Sequence, residues 1–78
     1  MTFKQAHTMA MNKSAAFRKH DALVRQAMET GGQTACLTFT IEGETFYYGF
    51  DGVDLQAGKY SKHRAAALVE RDESLIIL

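Results

Sequence analysis

The apolar positions change period along the chain. In "SAAFRKHDALVRQAMETGG" Phe17, Val24 and Met28, with Ala16, Leu23 and Ala27, recur at i, i+7 and i+11 and make one helical stripe. Lys13, Arg18, Lys19, Arg25, Gln26 and Glu29 face away from it, so the segment predicts an amphipathic helix. Ser14 or Asn12 is its N-cap, and Gly31-Gly32 ends it because glycine readily takes the left-handed conformation. From Thr34 the period drops to two. In "TACLTFTIEGETFYYGFD" two β-rich runs flank Glu42-Gly43, a two-residue loop in which glycine supplies a positive φ. That loop pairs Ile41 with Glu44, Phe39 with Phe46, Leu37 with Tyr48 and Ala35 with Phe50, all on one oily face. The other face carries Thr34, Cys36, Thr38, Thr40, Thr45, Tyr47 and Gly49. A threonine row with one tyrosine reads as a face open to water or to a partner.

The flanks are less regular. Thr2 and Gln5 have capping-box spacing and residues 2–11 favour helix, although Phe3, Gln5, His7, Met9 and Met11 also alternate like an edge strand. Residues 1–12 are therefore expected to be a separate helix or only partly ordered. "GVDLQAG" reads as a loop with a short extended piece around Val53 to Leu55. Ser61 caps a helix through about Glu70, with Ala65, Leu68 and Val69 as its apolar side; "RDES" turns the chain, and Leu75 to Leu78 form a strand. The expected architecture is a small single α+β domain over residues 1–78. It has an antiparallel β-hairpin plus a short C-terminal strand, with two helices on one face, in the order α-β-β-α-β.

Composition narrows the function classes. A chain of 78 residues makes one thin-cored domain. Nine basic and nine acidic residues cancel, which counts against a domain living on nucleic-acid phosphates unless charge is segregated. It is segregated: the helices are basic, the hairpin tip and tail acidic. A dipolar protein of this kind meets charged partners despite zero net charge. One cysteine excludes an internal disulfide, and no apolar run approaches a membrane span, so a cytoplasmic setting without membrane contact is the expectation.

Candidate chemistry is sparse. His7, His20, Cys36 and His63 lie on different elements without paired ligand spacing, so no metal site is expected; His20 reads as a core histidine. Cys36 lies mid-strand with no cation or helix N-terminus to activate it. Glu42, Glu44, Asp51 and Asp54 cluster around loops as solvated charge. "GVDLQAGK" is not a phosphate-binding P-loop: five residues separate Gly52 from Gly58, and Tyr60 stands where a Mg²⁺-holding hydroxyl is needed. No catalytic residue and no cofactor are expected.

The unabsorbed stretch is "GKYSKHR". A helix capped by Ser61 carries Lys62, His63 and Arg64 in its first turn, against its dipole, at about 0.3–1 kcal/mol each. Lys59, Tyr60, Ser61, Lys62, His63 and Arg64 therefore form a candidate anion or partner contact. Over about 12 of 78 residues, "GKYSKHRAAALV" resembles the second helix of double-stranded-RNA-binding domains, with Lys59, Lys62 and His63 near that family's lysine positions. The resemblance implies phosphate contact. It departs from the family where Ala66 replaces an expected lysine, where two strands, not three, precede the helix, and where a further strand follows it. Glu70, Asp72 and Glu73 oppose the dipole at the other end as well.

With no site for chemistry, the sequence favours a non-enzymatic interaction or regulatory module. It would bind a larger protein or itself, as a homodimer, through sheet edge, polar face or charged helices. Arg18, Lys19, Arg25 and Tyr47 are the candidate partner face. Size and neutrality suit an accessory protein of bacterial or mobile-element origin. The alternative is contact with RNA or DNA phosphates around Lys59 to Arg64.

Overall fold

The computed structural model describes residues 1–31, 33–60 and 75–77. Two helices lead the chain. α1 spans Phe3–Lys13, and its N-terminus is the capping box the sequence implies: Gln5 N–H donates to Thr2 Oγ1 at 3.2 Å, and Thr2 N–H to Gln5 Oε1 at 2.8 Å. The strand-like alternation of residues 3–11 loses to this cap. α2 spans Ala15–Thr30; Ser14 Oγ accepts the Phe17 N–H at 3.0 Å, and Gly31 at φ 71° closes the helix.

Strands β1 (Ala35–Ile41) and β2 (Glu44–Phe50) form the hairpin in the predicted register, from Ala35 opposite Phe50 to Ile41 opposite Glu44. Both loop residues take positive φ, Glu42 at 51° and Gly43 at 78°. That geometry matches the twist of the flanking strands. β3 spans Leu55–Lys59 and pairs antiparallel with β2, while β4 (Leu75–Ile77) pairs parallel with β1. The sheet order is β3-β2-β1-β4.

The α+β class, the hairpin and the C-terminal strand are as expected, and three details differ. The helices packed on the oily face are α1 and α2, both ahead of the hairpin. The segment read as a loop with an extended piece around Val53 to Leu55 turns through Asp54 and then forms a strand from Leu55, held by its ladder to β2. The sheet is mixed, because β4 runs parallel to β1. The expected helix from Ser61 and the turn after it lie outside the described residues.

Phe17, Phe39, Phe46, Leu37, Ile41 and Val24 fill the core between the helices and the sheet. Phe17 and Phe39 meet edge to face with centroids 4.8 Å apart, and Phe39 stacks on Phe46 at 5.5 Å. The helical stripe is rotated from the expected one. Phe17, His20, Asp21, Val24 and Ala27 point inward, while Ala16, Leu23 and Met28 are exposed.

The second face, expected to be open to water or to a partner, is buried at Cys36, Thr38 and Tyr47, half-buried at Thr40 and Thr45, and exposed at Thr34. Three of its side chains find partners within the sheet. The Thr40 and Thr45 hydroxyls bond each other at 2.9 Å, and the Cys36 thiol donates to the Phe50 carbonyl at 3.7 Å. The Tyr47 ring lies across Gly58, where an added Cβ would come within 3.1 Å of its hydroxyl.

Candidate functional site

Two features rise above ordinary packing, a buried carboxylate and an open strand edge. Asp21 lies on the inner face of α2, one turn after Phe17 and just before Val24, with only 4% of its side chain exposed. Its Oδ1 accepts from the Tyr48 hydroxyl of β2 at 2.5 Å and lies 2.9 Å from His7 Nε2 of α1; its Oδ2 accepts from Arg25 Nε at 2.9 Å. Burial pushes the carboxyl up, but hydrogen bonds from Tyr48, His7 and Arg25 outweigh it, so Asp21 is held below its ordinary value. Burial, then the bond to Asp21 and its negative charge, hold the Tyr48 phenol well above its ordinary value. Tyr48 is thus a fixed donor and Asp21 a fixed acceptor.

This cluster ties α1, α2 and β2 together. It is poorly placed for acid–base chemistry on a substrate, because Asp21 is buried and both its carboxylate oxygens are already taken by Tyr48, His7 and Arg25. A depression of about 520 Å³ runs along α1, lined by Met1, Thr2, Lys4, Gln5, Thr8 and Met9. Its lining holds no carboxylate, thiol or imidazole. Among the described residues no group of three His, Cys, Asp or Glu side chains is arranged to hold a metal ion. No helix among them is long and apolar enough to cross a membrane.

The edge follows from main-chain parity. Asp51 shapes the turn into β3: its Oδ1 accepts the Val53 and Asp54 N–H groups at 2.8 and 2.7 Å, and Gly52 takes φ 101°. Beyond it, Gln56 faces Gly49, Gly58 faces Tyr47, and the Tyr60 N–H donates to the Thr45 carbonyl at 2.9 Å. In an antiparallel ladder, bonded and non-bonded pairs alternate. Gln56, Gly58 and Tyr60 therefore turn their main-chain groups toward β2. Leu55, Ala57 and Lys59 turn their N–H and C=O groups outward, where no described strand meets them. Their side chains share the helix-side face, yet the helices leave Leu55 48% exposed, and Val53 just before it is 80% exposed. The strand has no proline and a single charge, Lys59. It lacks most devices that blunt a sheet edge.

The sequence-predicted residues are dispersed over this frame. Lys59 and Tyr60 lie at the end of β3, and Ser61, Lys62, His63 and Arg64 lie outside the described residues. Arg18, Lys19 and Arg25 are on α2, with Arg18 Nη1 bonded to the Met11 carbonyl at 2.7 Å and Arg25 to Asp21. Tyr47 is buried on the opposite face of the sheet, so it does not join them. His20 is buried, as expected of a core histidine. Three described strands, not two, precede residue 61, while β4 follows it, so one departure from the double-stranded-RNA-binding pattern is removed and the following strand remains.

Sequence reasoning missed the buried carboxylate and did not place the open edge on β3. Asp21 shares the helical face of Phe17 and Val24, which marks it as a buried acid. The Asp51-Gly52 pair following β2 is a hairpin signal that announces β3. No protein-family model matches the chain, and neither does any curated protein or solved structure.

Proposed function

We propose that this chain is a non-enzymatic interaction module that binds a protein partner by adding a strand of that partner to the outer edge of β3. The observation that carries the reading is the outward main-chain row of Leu55, Ala57 and Lys59, flanked by exposed Leu55 and Val53. Strand addition takes its affinity from main-chain hydrogen bonds and its selectivity from alternate side chains. Here those side chains would lie along Leu55 and Ala57 on the helix-side face.

Ala57→Pro tests it. The Ala57 N–H does not serve the ladder to β2, so proline removes an outward donor without breaking the sheet. Leu55→Lys is the second variant, placing a charge on the edge with no backbone change. Random peptides displayed on phage are panned against the immobilised protein. Enriched peptides with alternating apolar positions that lose binding to both folded variants support the proposal. Failure to enrich any peptide with a chain that is monomeric in solution, or binders indifferent to both variants, overturns it.

A second reading gains from the third strand before residue 61, namely contact of Lys59 to Arg64 with nucleic-acid phosphates. Labelled RNA and DNA duplexes titrated at low and moderate salt test it. Binding that weakens steeply with salt and falls on Lys62→Glu and Arg64→Glu supports it; no binding at low salt ends it.

A further inference from the structure

The next inference rests on the strand-addition reading and names the added strand. We infer that the partner is a second copy of this chain, its β3 pairing antiparallel with β3 of the first about a two-fold axis at Ala57. Three properties of the edge favour this occupant.

The first is register. Centred on Ala57, antiparallel self-pairing sets Ala57 opposite Ala57 of the copy, and Leu55 opposite Lys59 of the copy. All three outward-facing residues of β3 then meet one another, each pair exchanging both N–H···O bonds. A centre at Gln56 or Gly58 sends one end of the outward row past the strand, and a centre at Lys59 opposes two like charges.

The second is side-chain fit. At the axis the same residue meets itself, and alanine is small enough for that encounter. On either side the aliphatic stem of Lys59 lies against Leu55 of the copy, covering a leucine that is 48% exposed in the single chain.

The third is charge. The start of β3 follows Asp51 and Asp54, and its end carries Lys59. Antiparallel pairing brings the basic end of one strand to the acidic end of the other. It also holds the two Lys59 residues about 14 Å apart. The result is an isologous dimer whose two four-stranded sheets run on as one. The interface is small, so the association belongs to the weak, reversible class.

The test is sedimentation equilibrium of the full chain from about 1 µM to about 1 mM, with cysteine cross-linking to read the register. The expected result is a monomer–dimer equilibrium. Ala57→Pro weakens it at least about tenfold, as losing the two hydrogen bonds of the central pair requires. Leu55→Lys weakens it too, by opposing lysine to lysine. In air, Ala57→Cys forms a 57–57 disulfide between chains, whereas Lys59→Cys does not, because that separation exceeds disulfide reach. A monomer throughout the range, a dimer indifferent to both edge variants, or cross-linking at 59 without cross-linking at 57 overturns the inference. If the chain is monomeric but selected peptides still bind in an Ala57-dependent way, only the identity of the partner falls. If peptides fail as well, strand addition falls with it.

Discussion

Removing the Tyr48 hydroxyl is the sharpest probe of what holds the helices on the sheet. Tyr48→Phe deletes one oxygen and leaves the ring packed against His7 and Phe3, whose centroids lie 5.2 and 5.6 Å away. The lost bond is short, buried and made to a carboxylate, so it is worth about 1.5–3 kcal/mol. Asp21→Ala goes further, because it strands the buried hydroxyl and removes the shared acceptor of His7 and Arg25; about 3–5 kcal/mol is expected. Small domains sit near the low end of the usual 5–15 kcal/mol or so of stability. Asp21→Ala is therefore expected to leave a substantial unfolded population, while Tyr48→Phe remains measurable. Urea unfolding followed by far-ultraviolet circular dichroism gives both values. Because the Asp21 carboxyl is held below its ordinary value in the folded protein, its stabilisation is present above the unfolded value of 3.8. It is lost as pH falls through the lower folded value. The stability gap between wild type and Asp21→Asn should accordingly narrow in acid below about pH 4. A Tyr48→Phe cost under about 0.5 kcal/mol, or a gap that stays constant into acid, would refute the reasoning.

Other expectations concern the backbone. Glu42 holds φ 51°, which asparagine tolerates better, so Glu42→Asn should raise stability by about 0.5–1 kcal/mol and the melting midpoint by several degrees; no rise counts against the turn assignment. A Cβ at Gly49 would press on the Ala35 carbonyl and the Cys36 backbone, and come within 2.9 Å of Cys36 Cβ. One at Gly58 comes nearest the Tyr47 side chain, 3.1 Å from its hydroxyl. Gly49→Ala should thus cost about 1–3 kcal/mol and more than Gly58→Ala, and the reverse order in urea unfolding would contradict the strand spacing.

The hairpin was legible because loop length and period-two alternation together leave one register that keeps Phe39, Phe46, Leu37 and Tyr48 on a single face. The N-terminal helix was legible through Thr2 and Gln5, whose reciprocal bonds overrule an ambiguous alternation. The inner face of α2 was not. Hydropathy ranks Leu23 and Met28 above His20 and Asp21, and it carries no record of Tyr48, His7 and Arg25 converging to solvate a buried carboxylate. β3 escaped for a related reason: Gln56, Ala57 and Gly58 have little strand preference, and their conformation comes from the β2 ladder. The parallel direction of β4 has no local signature in Leu75 to Ile77. The second face misled because the burial of Cys36, Thr38 and Tyr47 is a tertiary outcome that their residue types do not announce.

The most direct test of the central claim is amide hydrogen exchange along β3, read residue by residue as protein concentration rises and again with a selected edge-binding peptide. Gln56, Gly58 and Tyr60, bonded to β2, should be protected throughout. Leu55, Ala57 and Lys59 should exchange freely in dilute solution and slow only when a strand is added. Outward amides that stay unprotected while binding proceeds, or that are already protected in a dilute monomer, would contradict it.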